Sequence, residues 1–439
     1  MLRVIWALFA LHGAGCSTHK PPPATDAGAL DGGAVFTLDP STNHHSGSRL
    51  RANLVSGGSG ATLFQGWHDS QLNADCAFQL MVDGSWRCLP TSGNAAIGFL
   101  DASCTQPVAV VGSNAPVPTY ASAPQAYFPV CGSSPTVMYA LGAAQSPAQV
   151  YFPVGIGKCQ SFGPYPGQSF YAVTPADDST FVGAHLATAH HGDLDLELLV
   201  GDDGSGQIRR VLDPNRNVAC HAGSVPPNQV DVDTRCIPAP DEQVSPGFFL
   251  DSTCTNGSFA VSTSTCGDPS LDPTFEATTT ATVSFDGGLC EVDTDVVRAL
   301  GPRQAASAIY TSWSTGCTPQ TMTTPTETVF PELAQVDPST LPAIHLGQQG
   351  SGRLTAPVFF AADGTDVGSG QVFWDTAHHG YCTFDDVFSD GVLRCVDDAR
   401  ATLIGTDAHF SNSTCTVQLA TPHSGNCRGP AYALDFGPG

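Results

Sequence analysis

Three carboxylates alternate strictly with leucine at Asp193-Leu194-Asp195-Leu196-Glu197-Leu198. On a strand they share one face, a spacing that suits a calcium ladder or an acid pair. A half-buried strand with an acidic solvent face has the same pattern, and that structural role is the one expected. His190-His191-Gly192 and His378-His379-Gly380 resemble imidazole pairs that hold zinc. They fall at different places in the repeated text described below, so no metal site is read from them. Trp67 with Asp69, and Trp374 with Asp375, could stack on a sugar and bind it. A core Trp beside a turn-forming Asp is the expected role. In Phe99-Leu100-Asp101-Ala102-Ser103-Cys104-Thr105 the Asp is read as a turn-former, since Asn412 replaces it in the last copy. No Gly-x-Ser-x-Gly, His-Glu-x-x-His or phosphate loop occurs, so catalytic residues stay unassigned and no cofactor is implied.

An internal repeat must position these residues. Trp67-His68-Asp69, Cys76-Ala77-Phe78, Asp83-Gly84 and Arg87-Cys88-Leu89-Pro90 return as Trp374-Asp375, Cys382-Thr383-Phe384, Asp390-Gly391 and Arg394-Cys395. A worn copy lies between, at Arg235-Cys236-Ile237-Pro238 and Phe249-Leu250-Asp251-Ser252-Thr253-Cys254-Thr255. Repeats therefore start near 46, 181 and 346. Each reads as short alternating strands separated by Gly, Asp and Pro turns. With 46 Gly and 34 Pro, the chain is expected to be all-β. Four antiparallel strands in about 45 residues is the size of a propeller blade. The expectation is a six- to eight-bladed β-propeller over residues 46–439, with tandem β-sandwiches as the alternative.

Sixteen cysteines without a Cys-x-x-Cys argue for disulfide staples. Aligned copies give the columns Cys76/Cys220/Cys382, Cys88/Cys236/Cys395 and Cys104/Cys254/Cys415, and Cys159 matches Cys317. A two-residue turn at Asp83-Gly84 would set Cys88 opposite Gln79, about 10 Å along the strand from Cys76, which leaves that pairing unproven. The recurring short spacing makes Cys254–Cys266 and Cys415–Cys427 the expected pairs. In the first repeat either Cys104 pairs with Cys131 and Cys159 is left over, or Cys131 pairs with Cys159 and Cys104 is left over. Cys290 and Cys317 are further candidates.

Forty acids against sixteen Lys and Arg give a formal charge of -24, which repels nucleic acid. Arg3, the apolar run Val4 to Leu11 and Gly13-Ala14-Gly15-Cys16 read as a secretion signal with a lipoprotein-type ending. The expectation is a signal over 1–16, acylation of Cys16 and a disordered Pro/Gly/Ala tether over 17–45, with His44-His45 solvated at its end. The lipobox resemblance, with Ser17 rather than Asp after the Cys, implies the outer membrane. Ser-Arg-Leu at 48–50, Asp-Gly-x-x-Arg-Cys-Leu-Pro at 83–90 and Phe-Leu-Asp-x-x-Cys-Thr at 99–105 resemble an uncharacterised family of secreted or lipid-anchored, Cys-rich repeat proteins of myxobacterial type. That resemblance implies address and architecture, and carries no activity. A surface binding or scaffolding module with a protein or glycan ligand is expected. The alternatives are a hydrolase with its site in the propeller channel and a purely structural envelope protein.

Overall fold

The computed structural model describes residues 43–57, 60–91, 95–112, 115–124, 135–155, 158–163, 167–225, 233–239, 244–255, 257–262, 272–284, 290–313, 316–320, 327–369, 373–377, 380–385 and 394–396, with four short strands beyond. The chain is all-β. The first repeat contains β1 (His44–His45), β2 (Leu50–Ser56), β3 (Thr62–Asp69), β4 (Ala74–Leu80) and β5 (Trp86–Pro90). It continues through β6 (Ala95–Phe99), β7 (Pro107–Val111), β8 (Tyr120–Pro124), β9 (Thr136–Gln145), β10 (Val150–Gly155), β11 (Lys158–Phe162) and β12 (Ser169–Pro175). The second has β13 (Gly183–His191), β14 (Leu194–Gly201), β15 (Gly206–Asp213), β16 (Val218–Val225) and β17 (Asp233–Pro238). Then come β18 (Val244–Phe249), β19 (Phe259–Ser262), β20 (Phe275–Ser284), β21 (Cys290–Leu300), β22 (Gln304–Ala306), β23 (Tyr310–Trp313), β24 (Gly316–Pro319) and β25 (Glu327–Gln335). The third has β26 (His345–Gln349), β27 (Leu354–Phe360), β28 (Asp366–Ser369), β29 (Phe373–Asp375), β30 (Gly380–Asp385) and β31 (Arg394–Val396).

Each repeat begins with an antiparallel meander, and local chemistry sets its turns. Gly57, Gly201 and Ala361 each donate a backbone N–H to the carbonyl four residues on. Inside those turns Gly60, Gly204 and Gly364 have φ of +86°, +85° and +86°, which side-chain-bearing residues adopt at a cost. In the last two turns Asp203 and Asp363 accept the amides of Ser205 and Thr365. In the first two repeats the next strand ends on a buried Asp, Asp69 or Asp213, and in the third β29, one strand further on, ends on buried Asp375. Two residues before it stand Trp67, Val211 and Phe373, each directly opposite the first cysteine of a hairpin: Cys76, Cys220 and Cys382.

Those cysteines form Cys76–Cys88, Cys220–Cys236 and Cys382–Cys395, with Cα atoms 5.3, 5.2 and 5.2 Å apart. The loop between β4 and β5 is longer than a two-residue turn, since Leu80 pairs with Trp86. Cys88 therefore faces Phe78, and Cys76 reaches it diagonally on the same side of the sheet. Cys236 and Cys395 stand in the same offset, opposite Ala222 and Phe384.

The meanders close head to tail. In the first, the turn entering β2 meets the Asp203 turn of the second: Arg49 and Leu50 donate backbone N–H groups to Asp203 Oδ2 at 2.9 and 2.6 Å. At the corresponding place in the second, His191 Nδ1 lies 3.3 Å from Asp363 Oδ2 and 3.0 Å from Thr365 Oγ1 of the third. The third returns to the first, where Gln349 Oε1 accepts from Thr62. There Gly350 lies so near Ala61 that a Cβ would come within 2.8 Å of it. Cores cross these junctions too. Ala61, Leu63, Ala356 and Phe373 form one cluster, while Leu194, Leu196, Ile344, Ala361 and Val367 belong to another.

After the first two meanders come sheets of identical strand order. The first runs β11-β10-β6-β7-β12-β9-β8 and the second β24-β23-β18-β19-β25-β21-β20, with β22 added on β25. Each carries a disulfide from its Phe-Leu-Asp turn to its outermost strand: Cys104–Cys159 and Cys254–Cys317, Cα atoms 6.1 and 5.7 Å apart. Five disulfides among the described residues suit an oxidising, extracellular environment. No helix among the described residues is long and apolar enough to cross a membrane.

Several expectations change. The sheets are wide, and the first meander joins the second through β5 and β13, so separate four-stranded blades are not what the strand order gives. The expected Cys254–Cys266 pairing fails: Cys254 bonds Cys317, and Cys104 bonds Cys159, so neither Cys104 nor Cys159 is left over. The strand order explains it, because β11 and β24 fold back beside β10 and β23 at the edge next to the turn. Cys290 opens β21, while Cys16, Cys131, Cys266, Cys415 and Cys427 lie outside the described residues. His44 and His45 form β1 on Gln207 and Gly206, and are not the solvated end of a tether. The His44 ring stacks on Phe64 at 4.6 Å, and burial holds its imidazole below the usual range.

Candidate functional site

Ion pairs built on a buried Asp hold two of the junctions. The Arg49 guanidinium grips Asp69 with two bonds of 2.8 and 2.7 Å. Its Nη2 also donates to the carbonyl of Thr180, 2.7 Å away. Thr180 ends the short 3-10 turn Asp178–Thr180 that leads into the second meander, capped by Asp177, whose carboxylate accepts from Ser179. Arg216 does the same one repeat later: it pairs with Asp213 at 2.6 Å and donates to the Thr340 carbonyl at 3.0 Å. Thr340 ends Pro338–Thr340, capped by Asp337. A second arginine, the one before the hairpin cysteine, holds the next carbonyl: Arg87 that of Phe181, Arg235 that of Leu341. The Asp carboxylates also tie their own turns; Asp69 accepts the amides of Gln71 and Leu72, and Asp375 that of Ala377. These Asp side chains are buried because guanidinium and amide donors satisfy them.

The residues singled out from the sequence go into the frame. Asp195 pairs with His190 at 2.7 Å, and Glu197 with Arg209 and Arg210. Leu194, Leu196 and Leu198 point into the core. His191 serves the junction to the third repeat; His378 and His379 lie outside the described residues. Trp67 is 1 % exposed and donates its Nε1–H to Gln207 at 2.6 Å, so it does not stack on a ligand. Its counterpart is Phe373, not Trp374, because the Asp375 register fixes the alignment. Asp101 and Asp251 form turns: Asp101 takes amides of Thr105 and Gln106, and Asp251 that of Thr253. Cys104 and Cys254 thereby sit at φ +53°. The Ser103 hydroxyl, foremost, and the other donors around it hold the Asp101 carboxyl far below the usual range.

One cluster has no counterpart in its sister sheet. Glu276 on β20 faces Arg298 on β21, and Glu332 on β25 faces Leu300. Arg298 lies 3.9 Å from each carboxylate. Glu332 is well bonded: Oε1 accepts from the Gly247 amide at a bulge of β18, and Oε2 from Ser258, both at 2.8 Å. Glu276 is 2 % exposed, and neither oxygen has a hydrogen-bond donor. Burial, reinforced by the neighbouring Glu332 and opposed by Arg298, pushes its carboxyl up to about 7. In the first sheet the same positions are apolar or aromatic. Leu141 and Leu300 donate to Thr119 and Thr274, and Ala176 and Val336 to Met138 and Val297, which aligns the two sheets. Tyr139 then stands for Arg298, Ala121 for Glu276, and Val173, opposite Leu141, for Glu332. Such a carboxyl can take or release a proton near neutral pH. The sequence hides it, because Glu276, Arg298 and Glu332 are 22 and 34 positions apart and meet only across three strands.

The class defined by this architecture is a head-to-tail ring of three disulfide-stapled meanders, two of which carry a sheet of common strand order. The chain belongs to DUF7481, a family of unknown function, whose pattern matches residues 41–435 and again 6–176. No curated protein and no solved structure matches it.

Proposed function

We propose that this is an exported cell-envelope protein held to the outer membrane by a lipid on Cys16, and that its ring is a rigid frame presenting the attached sheets as a binding or scaffolding surface. The head-to-tail closure carries the scaffold reading: the conspicuous polar side chains of the meanders are engaged in holding repeats together. A ligand of protein or glycan type fits the acidic surface better than nucleic acid does. The resemblance to lipid-anchored, Cys-rich repeat proteins of myxobacterial type supports the address. The test is fractionation of cells carrying Cys16→Ser. The variant is expected in the soluble fraction, with wild type in the membrane and cleaved when intact cells meet a protease. Membrane association unchanged in the variant, without lipid on the N-terminal peptide by mass spectrometry, would overturn the anchor. Wild-type protein resistant on intact cells and cleaved only after lysis would overturn surface presentation.

A hydrolase reading rests on Glu276 beside Glu332, a carboxyl that titrates near neutrality next to a second carboxylate. It requires the sheet face to open, since Glu276 is 2 % exposed.

A further inference from the structure

Where each sheet meets its meander, the two repeats are built alike and filled differently. β8, the outermost strand of the first sheet, faces the ends of β4, β5 and β6 across a cavity of about 190 Å³. Gln79, Thr91, Ala95, Tyr120, Ala121 and Ser122 are among its walls. Gln79 Oε1 accepts from the Thr136 hydroxyl at 3.0 Å, and the Tyr120 ring stands edge-on against Phe181, centroids 5.3 Å apart. Among the described residues the Gln79 amide nitrogen and the Tyr120 and Ser122 hydroxyls have no hydrogen-bond partner. None of the wall residues is charged.

The second repeat brings other chemistry to the same positions. Tyr120 and Phe275 stand opposite Ala140 and Ala299, so Ala121 and Ser122 correspond to Glu276 and Ala277. Gln79 and Gly223 stand opposite Arg87 and Arg235 and correspond likewise. A Cβ on Gly223 would collide with the carboxylate of Asp295, the counterpart of Thr136. The second repeat thus has two carboxylates, Glu276 and Asp295, where the first has a methyl group and a hydroxyl. The surrounding segments differ in the same sense. Residues 244–335 contain ten acids and two arginines, whereas 95–175 contain only Asp101 and Lys158, so the first sheet is neutral in a chain of charge -24.

We propose that this cavity of the first repeat binds one uncharged sugar ring, the end of a neutral glycan. The inference rests on the reading of the sheets as binding surfaces, and it names the site and the ligand. At about 190 Å³ the cavity is smaller than the roughly 300–1,000 Å³ of pockets for drug-sized ligands, which suits a single ring. A sugar hydroxyl donates and accepts, and so matches an amide N–H donor and two hydroxyls. An apolar anchor from a protein partner would leave those three groups unpaired, which weakens binding. A sialic or uronic acid would bring its carboxylate to walls that offer it no cation.

Saturation-transfer NMR of the full mature protein with the methyl glycosides of glucose, galactose, mannose and N-acetylglucosamine tests this. Glucuronate and N-acetylserine amide serve as the charged and the peptide-like control. At least one of the neutral sugars is expected to bind saturably in the millimolar range, and neither control. Tyr120→Phe combined with Ser122→Ala installs the residue types of the sister sheet, Phe275 and Ala277, so the melting temperature is expected to hold. That double variant should weaken the sugar at least about ten-fold, for two lost hydrogen bonds. If it does not fold, Ser122→Ala alone should weaken the sugar about five-fold. Wild type that binds none of the neutral sugars, or binds a control more tightly than all of them, would overturn the proposal. Unchanged affinity in a folded variant would overturn it too, by placing the sugar elsewhere. Protease cleavage on intact cells decides the surface reading separately, whatever the sugar result.

Discussion

Replacing Glu276 by Gln should remove most of one pH dependence of stability. The folded carboxyl is pushed up from 4.5 to about 7, chiefly by burial. Below pH 4.5 it is protonated folded or unfolded and adds no slope. Between 4.5 and about 7 the unfolded chain releases this proton and the folded chain keeps it, so unfolding gains and stability falls as pH rises. Above about 7 both forms are ionised, and the folded state has lost about 3 kcal/mol relative to acid conditions. Glu276→Gln carries no charge at any pH and keeps the shape. The stability difference, variant minus wild type, should therefore climb by about 3 kcal/mol from pH 4.5 to 8. Asp366, 6 % exposed and raised to about 6 by burial, slopes the same way, but is present in both proteins and cancels. Urea denaturation with disulfides intact, followed by tryptophan fluorescence at several pH values, measures the difference. Parallel stability curves for the two proteins would refute the reasoning, because they would mean that Glu276 titrates alike folded and unfolded.

Asp69→Asn and Asp213→Asn should each cost about 3 kcal/mol, because a part-buried guanidinium loses its buried counter-charge. Asp375→Asn should cost less, since Arg353 is 58 % exposed; thermal melts order the three. Peptide mapping of the unreduced protein should yield Cys104–Cys159 and Cys254–Cys317 cross-links, and a Cys254–Cys266 peptide would contradict the strand order. Removing Cys104 and Cys159 together should cost about 4 kcal/mol in the chain-entropy model, measured by denaturation. A chain stopped at residue 345 should be insoluble or lack a cooperative melt. It would expose Ala61 and Leu63 on one side and Leu194 and Leu196 on the other, and native-like melting would argue against the ring.

The repeat was legible because the ring uses the same residues three times. Paired cysteines and the Arg before the second cysteine recur because each meander uses the same staple, and in the first two that Arg grips the carbonyl of the chain entering the next repeat. The β content followed from alternation and from Gly and Pro. Long-range pairing was not legible. Cys254 and Cys266 are near in sequence, yet Cys254 bonds Cys317 because β24 returns to the sheet edge beside the Phe-Leu-Asp turn. No local spacing encodes that return. The alignment of Trp374 with Trp67 failed for a related reason: aromatic identity is a weaker marker than strand register, and Phe373 fills the core position. The Glu276–Arg298–Glu332 cluster left no local signal, because cross-strand neighbours are distant in sequence.

The two parts of a repeat are under different constraints. A meander contacts two others, so a change at its clamp or turn disturbs a neighbour as well as itself, and the copies keep the same Asp at the same register position. The inner face of a seven-stranded sheet packs within its own repeat, against strands that can change with it. Strand order then survives while side chains diverge, as Ala121, Tyr139 and Val173 against Glu276, Arg298 and Glu332 demonstrate. A buried carboxyl without a hydrogen-bond donor is destabilising by comparison with the apolar packing that the sister sheet achieves at the same positions. Ring closure does not require it, since the clamps lie elsewhere and are satisfied without it. What distinguishes one repeat's chemistry from another's is therefore to be sought on the sheet faces, with the ring as the part that holds them in place.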